Sequence, residues 1–192
     1  MKQLRGTDLK RLHREWQRRT PGRVALLLDS VQSPWNIGAI VRTAAAYRVE
    51  HLWLTGTSTS PAHHRARQLS LGTERYLTWS QSATASDAAA EARDDGYLVV
   101  GVELADGAIP LHDLAVSGDV CLAFGNEDHG LGPAALAACD AVAYLPQLGR
   151  VGSLNVATAV AVAIYEIRRR AWTASAEPAK PPGQAAGDPP AV

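Results

Sequence analysis

The chain has little that would place it in a membrane, an oxidising compartment or a metal site. It contains no run of about 18 apolar residues, the length a spanning helix needs. Its first twenty positions are basic and polar instead of an apolar signal core. A soluble, cytoplasmic protein without a membrane partner is therefore expected. Only two cysteines occur in 192 residues. Cys121 stands in an apolar run and Cys139 precedes Asp140. The pair has neither C-x-x-C spacing nor the density of a disulfide scaffold, so both read as ordinary buried thiols. No G-x-G-x-x-G follows any candidate strand, which argues against a standard dinucleotide site. Gly125 and Gly130 have the spacing that opens a Walker loop, but Leu131 and Gly132 stand where Lys and Ser or Thr are needed, so a P-loop is excluded. Glu127-Asp128-His129 has no second His or Cys at ligand spacing, and no metal is expected.

What is present fits one globular domain with a real core and a tail: 46% of the residues are apolar. The formal net charge is zero but unevenly spread. Lys2, Arg5, Lys10, Arg11, Arg14, Arg18, Arg19 and Arg23 face only Asp8 and Glu15 in the first 23 positions, a net of +6 that the remaining chain balances. Such a segment suits a polyanion-binding appendage, and equally a solvated helix. Its pattern predicts a helix from Thr7, as cap, to Arg19, with Leu9, Leu12 and Trp16 on one stripe.

Downstream, apolar runs at Val24–Leu28, His51–Leu54, Tyr97–Val102, Val120–Phe124 and Ala141–Leu145 predict strands. Helices are predicted at Ile37–Tyr47, Ala62–Leu71, Ser86–Asp94, Pro133–Ala138 and Ser153–Trp172. This alternation predicts an α/β fold with a mostly parallel sheet flanked by helices and ligands at the carboxyl ends of strands. Residues 173–192 are Ala/Pro-rich and expected to be disordered.

Three loops after strands are more polar than a plain connector requires. In the first, Asn36 stands at a predicted helix start with Arg42 six residues on; Asn36 is either an N-cap or a functional amide, and Trp35 either packs on the body or stacks on a base. In the second, Gly125 permits close backbone approach or a positive φ, and Glu127 can accept hydrogen bonds from neighbouring amides. In the third, Leu145-Pro146-Gln147-Leu148-Gly149-Arg150-Val151-Gly152-Ser153-Leu154-Asn155 runs into an apolar helix, and its Ser and Asn suit either a polar ligand or capping by Ser153.

Taken together, Asn36 with Arg42, Gly125-Asn126-Glu127, and Leu145-Pro146 with Ser153-Leu154-Asn155 resemble, in order and spacing, the motifs of the SpoU-type (TrmH-like) branch of the SPOUT RNA ribose 2′-O-methyltransferases. The resemblance covers about residues 21–170. It implies a C-terminal trefoil knot in the parallel sheet and S-adenosylmethionine as cofactor. Cofactor contacts would come from Gly125, Leu145, Pro146, Gly149, Gly152 and Leu154, whose glycines would let the chain fold tightly around the methyl donor. Arg42 would be catalytic, with Asn36, Glu127, Ser153 and Asn155 organising the site. A homodimer is implied, and the substrate would be RNA. Only about 20 residues precede the first strand, which favours transfer RNA over ribosomal RNA. Residues 1–20 then form a basic extension in which Lys10, Arg11, Arg14, Arg18 and Arg19 contact RNA, residues 21–172 the methyltransferase domain, and Arg65, Arg67 and Arg75 secondary contacts. A non-catalytic RNA-binding module of the same fold, or an unrelated α/β nucleotide-binding protein, are the alternatives.

Overall fold

In the strand Val24–Asp29 (β1), five consecutive apolar side chains are all buried, as a strand covered on both faces requires. The computed structural model, which describes residues 3–174, places β1 inside a seven-stranded sheet. The other strands are His51–Thr55 (β2), Thr78–Gln81 (β3), Leu98–Val102 (β4), Ile109–Pro110 (β5), Val120–Phe124 (β6) and Ala141–Tyr144 (β7). Their order is β3-β2-β1-β6-β4-β7-β5, and every pairing is parallel.

The period of two divides the core. Leu26, Leu28, Val100, Leu122 and Phe124 point into one buried cluster, while Ala25, Leu27, Val99, Cys121 and Ala123 point into the other. The first is covered by Pro34–Ala46 (α2) and Val156–Ala174 (α6), through Ile37, Ile40, Val41, Val160, Ala163 and Ile164. The second is covered by Ala85–Asp94 (α4) and Pro133–Ala137 (α5), chiefly through alanines. The short helix His64–Ser70 (α3) lies close on α2, where a Cβ at Gly38 would stand 2.6 Å from the Ala66 carbonyl oxygen. Gly38 therefore sets that crossing distance.

Two strands escape the sequence reading. β3 is exposed along most of its length and β5 is two residues long, because each is an edge strand paired on one side only. Pro110 is tolerated for the same reason. Boundaries also shift. Thr84, not Ser86, caps α4, in a capping box with Asp87. The helix α3 begins at His64 with the His63 ring accepting from the Arg65 amide. Cys121 is buried as expected, but Cys139 is only partly so.

The described residues group into two units, Gly22–Arg168 and a second made of 3–21 with 169–174. In the second, Gly6–Arg18 (α1) has no buried residue. Arg5, not Thr7, occupies its cap position, without a side-chain cap bond. Trp16 and Trp172 meet with ring centroids 5.2 Å apart, and the Trp172 indole N–H donates to Thr20 Oγ1 at 2.7 Å. Residues 173 and 174 continue α6; the rest of the Ala/Pro-rich tail lies outside the described residues. No described helix is long and apolar enough to cross a membrane.

Inside the larger unit, Arg168 is 3% exposed and donates to three carbonyls: Tyr47 at 3.0 Å, Gly22 at 3.0 Å and Arg48 at 2.7 Å. Burial, with Arg48 adding to it, lowers its guanidinium to about 10, still charged at neutral pH.

Candidate active site at the carboxyl ends of the strands

β1 and β6 are neighbours in register from Val24–Val120 to Leu28–Phe124, so the loops that leave their carboxyl ends emerge side by side. One opens α2. Ser33 caps it, accepting from the Asn36 amide, and Pro34 starts it with a φ suited to the first helical position. Asn36 is thereby the third residue of the helix and not its cap, which leaves its side chain available. The other loop is closed by reciprocal backbone bonds between Asn126 and Gly130 at 3.1 and 2.9 Å. The Asn126 side chain donates to the Ser30 carbonyl at 2.9 Å, tying the two loops together. A Cβ at Gly125 would sit 2.0 Å from the Gly130 carbonyl carbon, so only glycine fits there. Close approach, and not a positive φ, is the reason.

Glu127 is the hub. Its Oε1 accepts from the Ser33 amide at 3.0 Å and from Asn36 Nδ2 at 2.9 Å, and its Oε2 from the Gln32 amide at 3.2 Å. Partial burial alone would raise its pKa, but these donors outweigh it and the carboxyl is held below the usual Glu range. An ionised acceptor so fully engaged is a poor proton acceptor and a good anchor.

The third motif joins through Asn36. With its N–H given to Glu127, its Oδ1 accepts from Asn155 Nδ2 at 3.0 Å. That turns Asn155 Oδ1 to the start of α6, where it accepts from the amides of Ala157 at 3.0 Å and Thr158 at 3.3 Å. Asn155, then, is the cap, α6 starts at Val156, and Ser153 lies outside the helix. One chain of hydrogen bonds thus runs from the β1–α2 loop through Glu127, Asn36 and Asn155 into α6.

Beside it is a cleft of about 360 Å³. Gly125, Leu145, Gly152, Ser153 and Leu154 line it, along with Glu103, Tyr144 and Gln147. Pro146, Gly149, Arg42, Asn36 and Asn155 do not. Gly149 and Gly152 have no atom within 4 Å of a would-be Cβ and no positive φ, so neither crowding nor turn geometry demands glycine at them. Arg42 is exposed, about 9 Å further along α2 than Asn36 by helical rise. Its side chain has no partner among the described residues.

Glu103 and Gln147 are absent from the sequence reading. Glu103 follows β4 directly and accepts from the amides of Leu104 and Leu131, each at 2.9 Å. An acid just past a buried strand was the available signal. Gln147 lies within the third motif, where no sequence feature separates it from its neighbours.

Of the basic set, Lys10, Arg14 and Arg18 are exposed. Arg11 lies 3.5 Å from Asp8 and the Arg19 guanidinium sits over the Trp16 ring. Arg23 has a different task, bound to Asp119 through backbone and side chain at 2.6 and 2.8 Å. Arg67 pairs with Glu74, Arg75 lies over Tyr76, and Trp35 is 55% exposed.

A parallel α/β sheet with a cleft at its carboxyl ends, beside the linked side chains of Glu127, Asn36 and Asn155, defines an α/β protein of the class whose ligand sites lie at such strand ends. The comparisons are specific. Residues 23–165 match the SpoU rRNA Methylase family, and the chain belongs to it. It is 32% identical over 146 residues to the 23S rRNA (guanosine-2′-O-)-methyltransferase RlmB of Acinetobacter baylyi, covering 76% of this chain and 59% of that one. The AdoMet-bound rRNA methyltransferase structure from Sinorhizobium meliloti superposes with a TM-score of 0.73 at 31% identity, over 79% of this chain and 58% of that one. A structure concerned with 2-OH methylation of C/U34 on tRNA matches with a TM-score of 0.69 at 29% identity, over 80% of this chain and 99% of that one. The chain spans less than two thirds of the length of the curated relatives it first matches.

Proposed function

We propose that the protein is an S-adenosylmethionine-dependent RNA methyltransferase acting on a ribose 2′-hydroxyl, with transfer RNA as substrate, in the cytoplasm. The observation that carries this is the hydrogen-bond chain from Gln32 and Ser33 through Glu127 and Asn36 to Asn155, which joins all three motifs beside one cleft. The cleft fits the cofactor in one respect: it is lined by Gln147, whose buried side-chain amide oxygen has no hydrogen-bond partner among the described residues. Gly125, Leu145, Gly152 and Leu154 would hold the cofactor, and the trefoil crossing implied by the family would wrap residues 145–155 around it.

When bound, S-adenosylmethionine supplies an electrophilic methyl group on a sulfonium. The protein's part is alignment and charge. Glu127 fixes Asn36, Asn36 fixes Asn155, and Asn155 fixes the start of α6, so the wall of the cleft is rigid where a ribose would enter. Glu127 is not the proton acceptor, since its oxygens are already engaged. Arg42 serves as a clamp for the RNA phosphate or the developing alkoxide, with the 2′-proton leaving to another acceptor or water.

Support for transfer RNA comes from the match to 99% of the chain in the C/U34 tRNA methylation structure. Ribosomal RNA is the second reading, favoured by the RlmB relative. The exposed cations Lys10, Arg14 and Arg18, with Arg11 and Arg19, are proposed to contact RNA phosphates. Deleting residues 1–19 should then weaken RNA binding and flatten its salt dependence; unchanged binding would remove them from the interface. We also propose a homodimer. Val162 and Tyr165 are 45% and 47% exposed on one face of α6, and Leu148 and Val151 on the preceding loop are more exposed still, an apolar surface suited to a second copy. Sedimentation of the wild type and Val162→Glu tests this: the variant should be monomeric.

The deciding experiment incubates the protein with methyl-labelled S-adenosylmethionine and unmodified tRNA or rRNA, followed by nucleoside mass spectrometry. Label in a 2′-O-methyl nucleoside from tRNA is expected. Label on a base, or in neither RNA, would overturn the reading.

A further inference from the structure

Gln147 stands in the loop between β7 and α6, two residues beyond Leu145, and lines the cleft. Its Oε1 is sealed from water yet receives no hydrogen bond from the described residues. Folded proteins rarely leave a buried acceptor unmatched, and an orphan on a residue that lines a cleft calls for a donor from a ligand. Three of its polar neighbours are already engaged. Glu103 accepts from two amides, Asn126 Oδ1 accepts from the Asp128 amide at 2.9 Å, and Glu127 accepts from three donors. Among the described residues, Gln147 Oε1 is the buried side-chain acceptor left without a donor.

The kind of donor follows from the surroundings. Leu104, Leu145, Leu154 and Val156 line the same cleft and provide apolar walls suited to a flat ring. A neutral amide oxygen among apolar side chains suits a neutral N–H; a bare ammonium would call for a carboxylate with free lone pairs. An amide side chain offers an acceptor and a donor side by side, which matches the adenine edge carrying the 6-amino group and an adjacent ring nitrogen. We infer that Gln147 is a specificity-determining residue whose Oε1 accepts a hydrogen bond from the 6-amino group of the cofactor's adenine, selecting adenine over a 6-oxo purine. This rests on the proposal that the cleft takes S-adenosylmethionine.

Calorimetric titration of the full chain with S-adenosylhomocysteine and with S-inosylhomocysteine, whose 6-position is an acceptor, tests it without reference to turnover. The wild type should prefer the adenosine compound by about tenfold or more, because the 6-oxo group sets one acceptor against another. Gln147→Met should lose about tenfold in affinity for S-adenosylhomocysteine and bind the two compounds within about threefold. Ligand-free Gln147→Met should melt no lower than the wild type, since the substitution removes an unmatched acceptor. Equal binding of both compounds by the wild type, a parallel loss of both in Gln147→Met with the preference retained, or a large drop in its ligand-free melting temperature would each overturn the inference. A wild type that binds neither compound would overturn the cofactor proposal itself.

Discussion

Asn155 donates its side-chain N–H to Asn36 Oδ1 at 3.0 Å, joining positions 119 residues apart and fixing the start of α6 against the start of α2. Because Asn36 uses its own N–H on Glu127, the pair has one orientation, and each amide depends on the next. Asn36→Asp would set a carboxylate against Glu127 and remove the donor. The variant should lose about 2–3 kcal/mol at pH 7 by urea unfolding, with part of the loss recovered toward pH 5 as one proton is shared between the two carboxyls.

Glu127 itself sets an acid limit. Its folded pKa lies below 4.5, so its contribution is complete above that value and is lost as pH falls through the lower, folded value. The stability of wild type relative to Glu127→Gln, followed by chemical denaturation between about pH 3 and 7, should decline only below about pH 4.5. A difference that stays constant across the range would show that the carboxyl titrates as it does in the unfolded chain.

Arg42 separates function from folding. It is exposed and makes no side-chain hydrogen bond or ion pair among the described residues, so Arg42→Lys should alter unfolding free energy by no more than about 0.5 kcal/mol. Single-turnover methylation should nonetheless fall by at least about tenfold, since an ammonium cannot reproduce the planar fork. Near-full methylation with unaltered RNA affinity would remove the clamp role.

Arg168 is the opposite case. Arg168→Met leaves the carbonyls of Gly22, Tyr47 and Arg48 without their guanidinium donors, and should destabilise the fold by about 2–4 kcal/mol in thermal or urea unfolding. Arg168→Lys should recover little, because one ammonium cannot span three carbonyls.

The sequence by itself determined the central strands and marked the polar loops that follow three of them. Val24–Leu28 and Val120–Phe124 are legible because a strand buried on both faces must be apolar at every position, a local property. Asn36, Glu127 and Asn155 stand out because a plain turn needs no amide or acid there. Tertiary structure alone decided the rest. β3 and β5 carry no apolar run, since edge strands form by pairing with a distant partner and not by burial of their own side chains. Asn36 read as either a cap or a functional amide, and Ser153 as the cap of the last helix; Ser33 took the first helix start, which freed Asn36, and Asn155 in place of Ser153 became both cap and link. The unmatched oxygen of Gln147 exists only where the loop folds over the cleft, because burial and the lack of a donor are properties of neighbours that no local pattern encodes.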